Sequence, residues 1–565
     1  MGAGDRGGRR VRGPPARRVA DHAGAVGTTV VAGADGRGIR RLARKTFGYE
    51  QLRPGQEEAI RSVAGGRDTL AVLPTGAGKS AIYQLAALII PGPTVVVSPL
   101  IALQRDQVRA LQASGVDAAE ANSQVAAAER RQAFEDLIAG DLEFLFLAPE
   151  QLANPDVLAQ AAAAQPSLMV VDEAHCVSAW GHDFRPDYLR LAEAAEALGR
   201  PPILALTATA APPVRAEIVD RLGLRDPLIV ARGFDRPNIS LAVRRFTDGE
   251  AKRAALLDRV VERSGTGGVG IVYVATRRSA DEVAAGLAER GVRVAAYHAG
   301  LGANRRREVE AAFGANEIDV VVATTAFGMG IDKPDVRFVY HHDVADSPDS
   351  YYQEIGRAGR DGEPAEAVLF YRPEDLGLRR FFAGGGGAGP DDVAAIARAL
   401  DDGGQVSPPD VEQLVERTGL SRARVTAALV CLQDGEPDEG PDEAGARAAD
   451  ARASQAKVQQ SRVEMMRAYA EARGCRRQVL VGYFGEPFDP PCANCDRCQA
   501  GGDATGGPSG DEPFPVHSRV THTAWGGGEV MGYDGDALTV FFDAVGYKTL
   551  ALELVEAGGL LTPEV

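Results

Sequence analysis

The chain is short of the residues that mark several protein classes. Six cysteines in 565 residues are too few for a disulfide scaffold. No stretch approaches the ~18–20 uninterrupted apolar residues of a membrane-spanning helix, and no Gly-X-Y period runs through it, which excludes helical membrane and collagen-like classes. The first residues are rich in Gly and Arg but lack the apolar segment of a secretory signal, so the cytoplasm is the expected compartment. Positive charge is not in excess: 62 Lys+Arg face 78 Asp+Glu, for a net −16. Non-specific adhesion to nucleic acid is therefore not expected, and any contact with it must come from local patches. Lysine is the scarcest of the charged types, present only at positions 45, 79, 252, 333, 457 and 548.

What is present suits a multi-domain globular protein. The composition is 45% hydrophobic and 25% charged, and at roughly 150 residues per domain the length suggests three or four domains. Residues 1–41, basic and poor in large apolar side chains, read as a disordered arm. From residue 42 to about 373, short apolar runs alternate with Ala/Leu/Arg/Glu helical stretches. The runs are 68–73, 94–98, 168–171, 203–206, 270–274, 292–297, 319–323 and 336–341. Continuous apolar strands separated by helices mean parallel sheets covered on both faces. The fold class is thus α/β, with two tandem domains, 42–231 and 232–380. The change-over lies at 232–239, where Gly233, Pro237 and Asn238 interrupt the pattern. A Gly-rich linker (381–390), a helix-turn-helix unit (391–433), an acidic Pro/Gly-rich linker (434–456), a helical cysteine-bearing subdomain (457–500), a further linker (501–513) and a β-rich tail (514–565) complete the expected organisation.

Chemistry concentrates first in Leu73-Pro-Thr-Gly-Ala-Gly-Lys-Ser80, between a strand and a helix. Small residues such as Thr75, Gly76 and Gly78 let backbone N–H groups wrap phosphates at a helix N-terminus. Lys79 would then reach the β/γ-phosphates and Ser80 a Mg²⁺ ion. The strict P-loop pattern wants Gly where Leu73 stands. Ninety-two residues beyond Ser80, the apolar run 168–171 ends in Asp172 and Glu173. Carboxylates at that position suit metal binding by Asp172 and activation of the attacking water by Glu173.

A second cluster is Cys475, sixteen residues, then Cys492-x-x-Cys495-x-x-Cys498. Four thiolates at this spacing indicate a metal, typically tetrahedral Zn²⁺, with an iron–sulfur cluster as the rival. Cys176 and Cys431 read as ordinary buried thiols.

The run Asp172-Glu-Ala-His-Cys-Val-Ser-Ala-Trp-Gly-His-Asp-Phe-Arg-Pro-Asp-Tyr188 resembles motif II and the aromatic-rich loop of RecQ-family DNA helicases of superfamily 2. The likeness continues in order at Leu52-Arg-Pro-Gly-Gln56, Val97-Ser-Pro-Leu-Ile101, Leu206-Thr-Ala-Thr-Ala210, Tyr297-His-Ala-Gly-Leu301 and Gln353-Glu-Ile-Gly-Arg-Ala-Gly-Arg-Asp-Gly362. It covers roughly residues 42–373. The TGxGK[ST] loop of superfamily-2 helicases shares the departure at Leu73. The resemblance implies two RecA-like domains, with Tyr49 and Arg53 sandwiching adenine and Gln56 reading its edge. It implies Arg360 as the arginine finger with Arg357 beside it. His175, Thr207, Thr209 and Gln353 would couple nucleotide state to domain closure. Trp180, His182, Phe184 and Arg185 become the single-strand-sensing loop, where stacking on aromatic rings holds unpaired bases; Ala179 replaces the Gln common there. In the second domain, Thr276–Arg278, Arg305–Arg307 and Thr324–Thr325 are candidate phosphate contacts.

The stretch Cys475-Arg-Arg-Gln-Val-Leu-Val-Gly-Tyr-Phe-Gly485 resembles the zinc-binding platform of the same family. Neither the winged helix nor the small helical domain that commonly follows is evident. The helix-turn-helix unit stands ahead of the cysteines instead, with Arg422 and Arg424 as candidate DNA contacts. Residues 514–565 resemble the Tudor or SH3-like barrel of UvrD-type helicases and CarD-type proteins, which implies a protein partner such as RNA polymerase. The expectation is an ATP- and Mg²⁺-dependent, zinc-containing DNA helicase, cytoplasmic and associated with the bacterial nucleoid. The family implies 3′→5′ travel on single-stranded DNA and unwinding in recombination and repair. The alternative is a DNA-stimulated ATPase that regulates DNA or polymerase without separating strands; an RNA helicase is disfavoured by the aromatic loop and the cysteines.

Overall fold

Two parallel sheets carry the molecule, and each is built from strands of three to seven residues whose side chains are mostly apolar on both faces. The computed structural model describes residues 35–178, 185–328, 333–383, 389–401, 411–433, 440–501 and 513–564. In the first sheet the order is Ala118–Glu120, Phe144–Leu147, Thr94–Val97, Leu168–Val171, Ile203–Thr207, Thr69–Val72 and Leu228–Ala231, all parallel. Alternate residues point to opposite faces. Leu70, Val72, Val95, Val97, Met169 and Val171 join one buried cluster, while Ala71, Val96, Val170, Leu204 and Leu206 join another beneath Ile60, Val63, Ile82 and Leu85. The strand Thr69–Val72 lies beside Ile203–Thr207, with Val72 opposite Thr207, and Leu168–Val171 is the next strand over. Three chemistry-bearing segments therefore leave the sheet together at its C-terminal edge, where parallel α/β sheets bind ligands.

The second sheet runs Val294–Tyr297, Val320–Ala323, Val269–Tyr273, Val336–His341, Ala365–Tyr371 and Ile239–Arg245, again all parallel. Five of the thirteen strands lie outside the apolar runs read from the sequence. Ile239–Arg245, for example, ends in exposed Arg244 and Arg245 and lies at a sheet edge.

The edge strand Ile239–Arg245 is covered by the cysteine-bearing loop. Leu241 N–H donates to the Asn494 carbonyl (3.2 Å), and Val243 N–H to the Asp496 carboxylate (3.1 Å). Covering an edge in this way removes a template for unwanted strand pairing. Around it, Arg476, 1% exposed, donates to the carbonyls of Tyr469 (2.5 Å) and Ala470 (3.3 Å) and to Asp496.

Two expected boundaries are corrected. The segment 434–456 is not a linker beyond residue 440, because one helix, Pro441–Glu471, runs without a break through 441–456. Pro441 at its first position and Asp442 and Glu443 in its first turn favour a helix start, and the Ala-rich run that follows has high helix propensity. Ala444 and Ala448 pack against Val393, Ile396, Leu414, Val425 and Ala428, so the helical unit includes the start of this helix. The basic arm also stops earlier than residue 41, since Gly36–Phe47 is helical, capped by the Asp35 carboxylate and closed by Gly48 at φ +69°. Residues 1–34, most of the aromatic-rich loop (179–184) and the stretches 384–388 and 502–512 lie outside the described residues.

The C-terminal module is a five-stranded antiparallel sheet in the order Gly546–Ala551, Ala537–Phe542, Gly526–Asp534, Arg519–His522, Leu561–Pro563. Val520, Val530, Leu538, Val540, Phe542 and Val555 form its own core. The strand Gly546–Ala551 passes directly into the helix Leu552–Gly558, so the β-rich tail also carries a helix. The module is docked rather than loosely tethered. Its Asp534 carboxylate accepts from the backbone N–H of Arg473 (3.3 Å) and Gly474 (3.2 Å), and Tyr547 lies against Tyr483 with ring centres 5.4 Å apart.

Candidate nucleotide site and metal centre

The phosphate loop is shaped by two glycines in left-handed geometry, Gly76 (φ +79°) and Gly78 (φ +72°). A Cβ on Gly78 would come within 2.9 Å of the Gln56 amide, so only glycine lets the loop close there. The helix Lys79–Ile89 follows with no side chain capping its N-terminus, which leaves its first N–H groups directed at whatever lies before it. Gln56, 3% exposed, donates from Nε2 to the carbonyls of Ala77 and Gly78 (both 2.9 Å) and accepts from the Arg53 N–H (2.7 Å). The Arg53 guanidinium donates to the Gly76 carbonyl. Gln56 and Arg53 thus brace the loop itself. Tyr49 is half-buried, stacked on Phe47, and donates to Gln84 (3.2 Å).

Lys79 donates from Nζ to the Leu73 carbonyl (3.3 Å), folded back over its own loop. Burial pulls its pKa down and Arg360 adds to that, while Glu173 and Asp172 oppose it. Asp172 is pushed up to about 7, by burial first and then by Glu173, with Lys79 working the other way. A phosphate and a divalent cation would each relieve one of these penalties, which is the electrostatics expected of a phosphoryl-transfer site. Glu173 sits at φ +49°, a conformation rare for a residue with a Cβ, at the end of the strand Leu168–Val171. Strain of this kind persists where the surroundings over-determine it and clusters at functional sites. The Tyr188 hydroxyl donates to the Asp172 carbonyl (2.9 Å) and helps fix that turn. His175 Nδ1 lies 2.8 Å from Thr207 Oγ1 and 3.3 Å from Glu173 Oε2, and Thr207 Oγ1 is also bonded to Thr209. Four of the expected coupling and catalytic residues are therefore in one contiguous buried group.

The second lobe closes on this edge. The Arg360 side chain lies 3.5 Å from where a Cβ on Gly76 would stand, and a Cβ on Gly356 would stand 3.6 Å from that of Thr75. Arg357 is 5% exposed and its positive charge bears on the buried Tyr273 hydroxyl, which donates to the Phe327 carbonyl (2.8 Å). Gln353 lies on the helix Pro348–Ile355 just before them. One residue passed over in the sequence ties the lobes together. Arg236 donates to the carbonyls of Thr75 (3.4 Å), Gly356 (3.3 Å), Ala358 (3.0 Å) and Gly359 (3.0 Å). It lies in the change-over segment 232–239, where the only sequence signal was an interruption.

Of the expected nucleic-acid contacts, Trp180, His182 and Phe184 lie outside the described residues. Arg185 donates to the Pro99 carbonyl (3.2 Å), at the loop following the strand Thr94–Val97. Arg278 and Arg305 are exposed and paired with Glu282 and Glu308 on their own helices. Arg422 pairs with Glu412 and Arg424 with Asp392, so both of these candidates hold the helical unit together.

The four cysteines converge: the Sγ atoms of Cys475, Cys492, Cys495 and Cys498 all lie within 4.8 Å of one another. Cys492 and Cys498 are 3.8 Å apart, close to the edge of a tetrahedron with Zn–S bonds of about 2.3 Å. Sulfurs this close surround a single ion and leave no room for a metal–sulfide cluster between them. The all-thiol set suits Zn²⁺.

Comparison with known proteins agrees with this reading. Residues 53–217 match the DEAD/DEAH box helicase family, 251–362 the helicase conserved C-terminal domain, and 440–499 the RecQ zinc-binding family. The chain is 38% identical over 453 residues to a protein of Pasteurella multocida named ATP-dependent DNA helicase RecQ, covering 80% of this chain and 61% of that one. It thus spans about three-fifths of the length of that relative. Its likeness to the probable ATP-dependent DNA helicase RecS of Bacillus subtilis is 35% over 463 residues, 81% of this chain and 91% of the other. Among solved structures, the DUF1998 helicase MrfA bound to DNA and AMPPNP matches with a TM-score of 0.51 and 20% identity, over 60% of this chain and 51% of that one; this likeness concerns the fold alone. The relationship extends from the phosphate-loop lobe through both sheets to the four cysteines, and the chain belongs to the RecQ family.

Proposed function

We propose that the chain is an ATP-dependent DNA helicase that hydrolyses ATP between its two lobes while travelling on single-stranded DNA, in the 3′→5′ direction the family implies. The observation that carries this reading is the meeting of Arg360 from the second lobe with Gly76 of the phosphate loop, on the edge that also holds Lys79, Asp172 and Glu173. A site completed only when two lobes meet can turn hydrolysis into relative motion.

The loop N–H groups and Lys79 bind the phosphates, and Ser80 and Asp172 hold Mg²⁺. The metal, when bound, neutralises charge on the phosphate oxygens. Glu173 orients the attacking water and takes its proton. Arg360 stabilises the charge that develops on the transferred group, an effect worth about 10³–10⁵ in rate where it has been measured. Arg357 supports it from behind. Tyr49 and Arg53 flank adenine, and Gln56 reads it by exchanging a loop carbonyl for the base. His175, Thr207, Thr209 and Gln353 pass the nucleotide state to the lobe interface, and Trp180, His182, Phe184 and Arg185 sense unpaired bases. The zinc platform anchors the second lobe's edge strand.

Relatives named DNA helicases support DNA as the substrate; a role in recombination and repair, at the bacterial nucleoid, is part of the same proposal. Among the described residues no helix is long and apolar enough to cross a membrane. The C-terminal module's likeness to Tudor or SH3-like folds supports a protein partner such as RNA polymerase, tested by whether the full chain but not residues 1–512 retains polymerase. Strand displacement on a tailed duplex tests the activity itself. DNA-stimulated hydrolysis without displacement would instead support the regulatory ATPase.

A further inference from the structure

The chain's lysines are few enough to be accounted for one by one. Lys79 belongs to the phosphate loop, and Lys45 closes the last turn of the helix Gly36–Phe47. Lys252 is 2% exposed between Asp343 and Asp375, and Lys333 is 7% exposed against Asp335. The remaining two, Lys457 and Lys548, come from segments ninety residues apart and line one groove of about 370 Å³. Its floor is the long helix Pro441–Glu471, and one wall is the C-terminal module. Arg380 and Trp525 line it too. The carboxylate there, Glu464, is already paired with Arg380 at 2.5 Å. Among the described residues neither Lys457 nor Lys548 makes an ion pair. In a chain of net charge −16, a groove with three cations and one carboxylate stands against the average field.

Trp525, one of two tryptophans, stacks on His522 with ring centres 4.1 Å apart and planes 13° from parallel. Phe542 braces it from a second side at 5.3 Å. The indole, packed against His522 and Phe542, is only partly buried, and it lines the groove together with Lys457 and Lys548. A fixed aromatic ring beside free cations is the chemistry that holds single-stranded nucleic acid, with bases stacked on the ring and phosphates on the cations. The cavity is large enough for a nucleotide-sized group.

We propose that the groove between the C-terminal module and the long helix is a second single-stranded DNA site, in which Lys457 and Lys548 hold phosphates and Trp525 stacks a base. The site lies on the module that stands where other family members are expected to carry a winged helix. It rests on the reading of the chain as a DNA-acting motor. It gives the C-terminal module a part in holding the strand, distinct from the protein contact suggested by its fold.

The test uses the full chain and a single-stranded oligothymidylate. Replacing Lys457 and Lys548 together by Ala should weaken oligonucleotide binding several-fold and reduce the slope of log K against log salt by about 1.4, or about 0.7 for each lost phosphate contact. ATP hydrolysis without DNA should not change, since neither lysine approaches the phosphate loop. In a Trp180→Phe chain, Trp525 is the sole tryptophan, and saturating oligonucleotide should quench its fluorescence. An unchanged affinity and salt slope, or an emission that ignores the oligonucleotide, overturns the proposal and leaves this face to a protein partner. Failure of the motor reading looks different: the unmodified chain would then hydrolyse ATP at one rate with and without oligonucleotide, whatever the groove variants do.

Discussion

Single side chains at the lobe interface do separable jobs, and their substitutions should fail in different ways. Lys79→Ala and Glu173→Gln each remove a group for which the site offers no substitute, so hydrolysis should fall to background in both; measurable turnover in either would remove that residue from the chemistry. Arg360→Ala should leave nucleotide binding largely intact and lower kcat by about 10³ or more, the signature of a group that acts only on the transition state. Arg236 is different in kind. It reaches no phosphate, yet its guanidinium satisfies four carbonyls on two lobes. A lysine there has three donors on a flexible stem and cannot reproduce the planar fork. Arg236→Lys should therefore lower the DNA-stimulated rate while leaving basal hydrolysis near normal. A variant that loses both in proportion would make Arg236 merely structural. Trp180→Ala should likewise keep basal hydrolysis and blunt the response to DNA.

The elements show why part of this was legible in the sequence and part was not. The phosphate loop and the acids of Asp172 and Glu173 are local signals: a strand, a turn and a helix start written in consecutive residues. Arg236 carries no such signal, because its partners come from segments about 120 and 160 residues away in the chain and only the fold brings them together. The acidic, Pro/Gly-rich composition of 434–456 reads as a linker, whereas the helix through 441–456 is held by Ala444 and Ala448 packing on a unit about 15 to 55 residues earlier. The same long-range logic governs the zinc platform. Chelation, or Cys495→Ser, should release one zinc per chain and unpin the edge strand Ile239–Arg245, seen as faster amide exchange there than in the strand Val269–Tyr273. Arg476→Ala removes a buried guanidinium from Asp496 and from the Tyr469 and Ala470 carbonyls, of which Asp496 keeps the Val243 N–H and Ala470 keeps Arg245, and should destabilise the chain by about 1–3 kcal/mol, measurable by denaturant unfolding. In the second lobe, burial alone would raise Asp343, but His342, Lys252 and the Ala275 N–H hold it well below the usual carboxylate range. Its folded pKa is depressed, so its stabilisation is present above about pH 4 and is lost as pH falls further. Asp343→Asn should flatten the acid limb of the stability profile.

At the scale of the whole molecule, four parts are joined through one buried seam. Asp349 of the second lobe accepts from the Tyr483 hydroxyl, Tyr483 lies against Tyr547 of the C-terminal module, and Arg215 of the first lobe donates to the Phe484 carbonyl. Phe234, in the change-over segment, stacks face to face on Phe484 with ring centres 4.6 Å apart. The zinc platform thus touches both lobes and the module it carries. In the proposed motor, DNA and nucleotide would therefore act on one joined body. The most direct test is the steady-state rate of ATP hydrolysis by the purified full chain across a titration of single-stranded oligonucleotide. The rate should climb with oligonucleotide to a plateau well above its starting value; a flat line from zero to saturating DNA would contradict the claim.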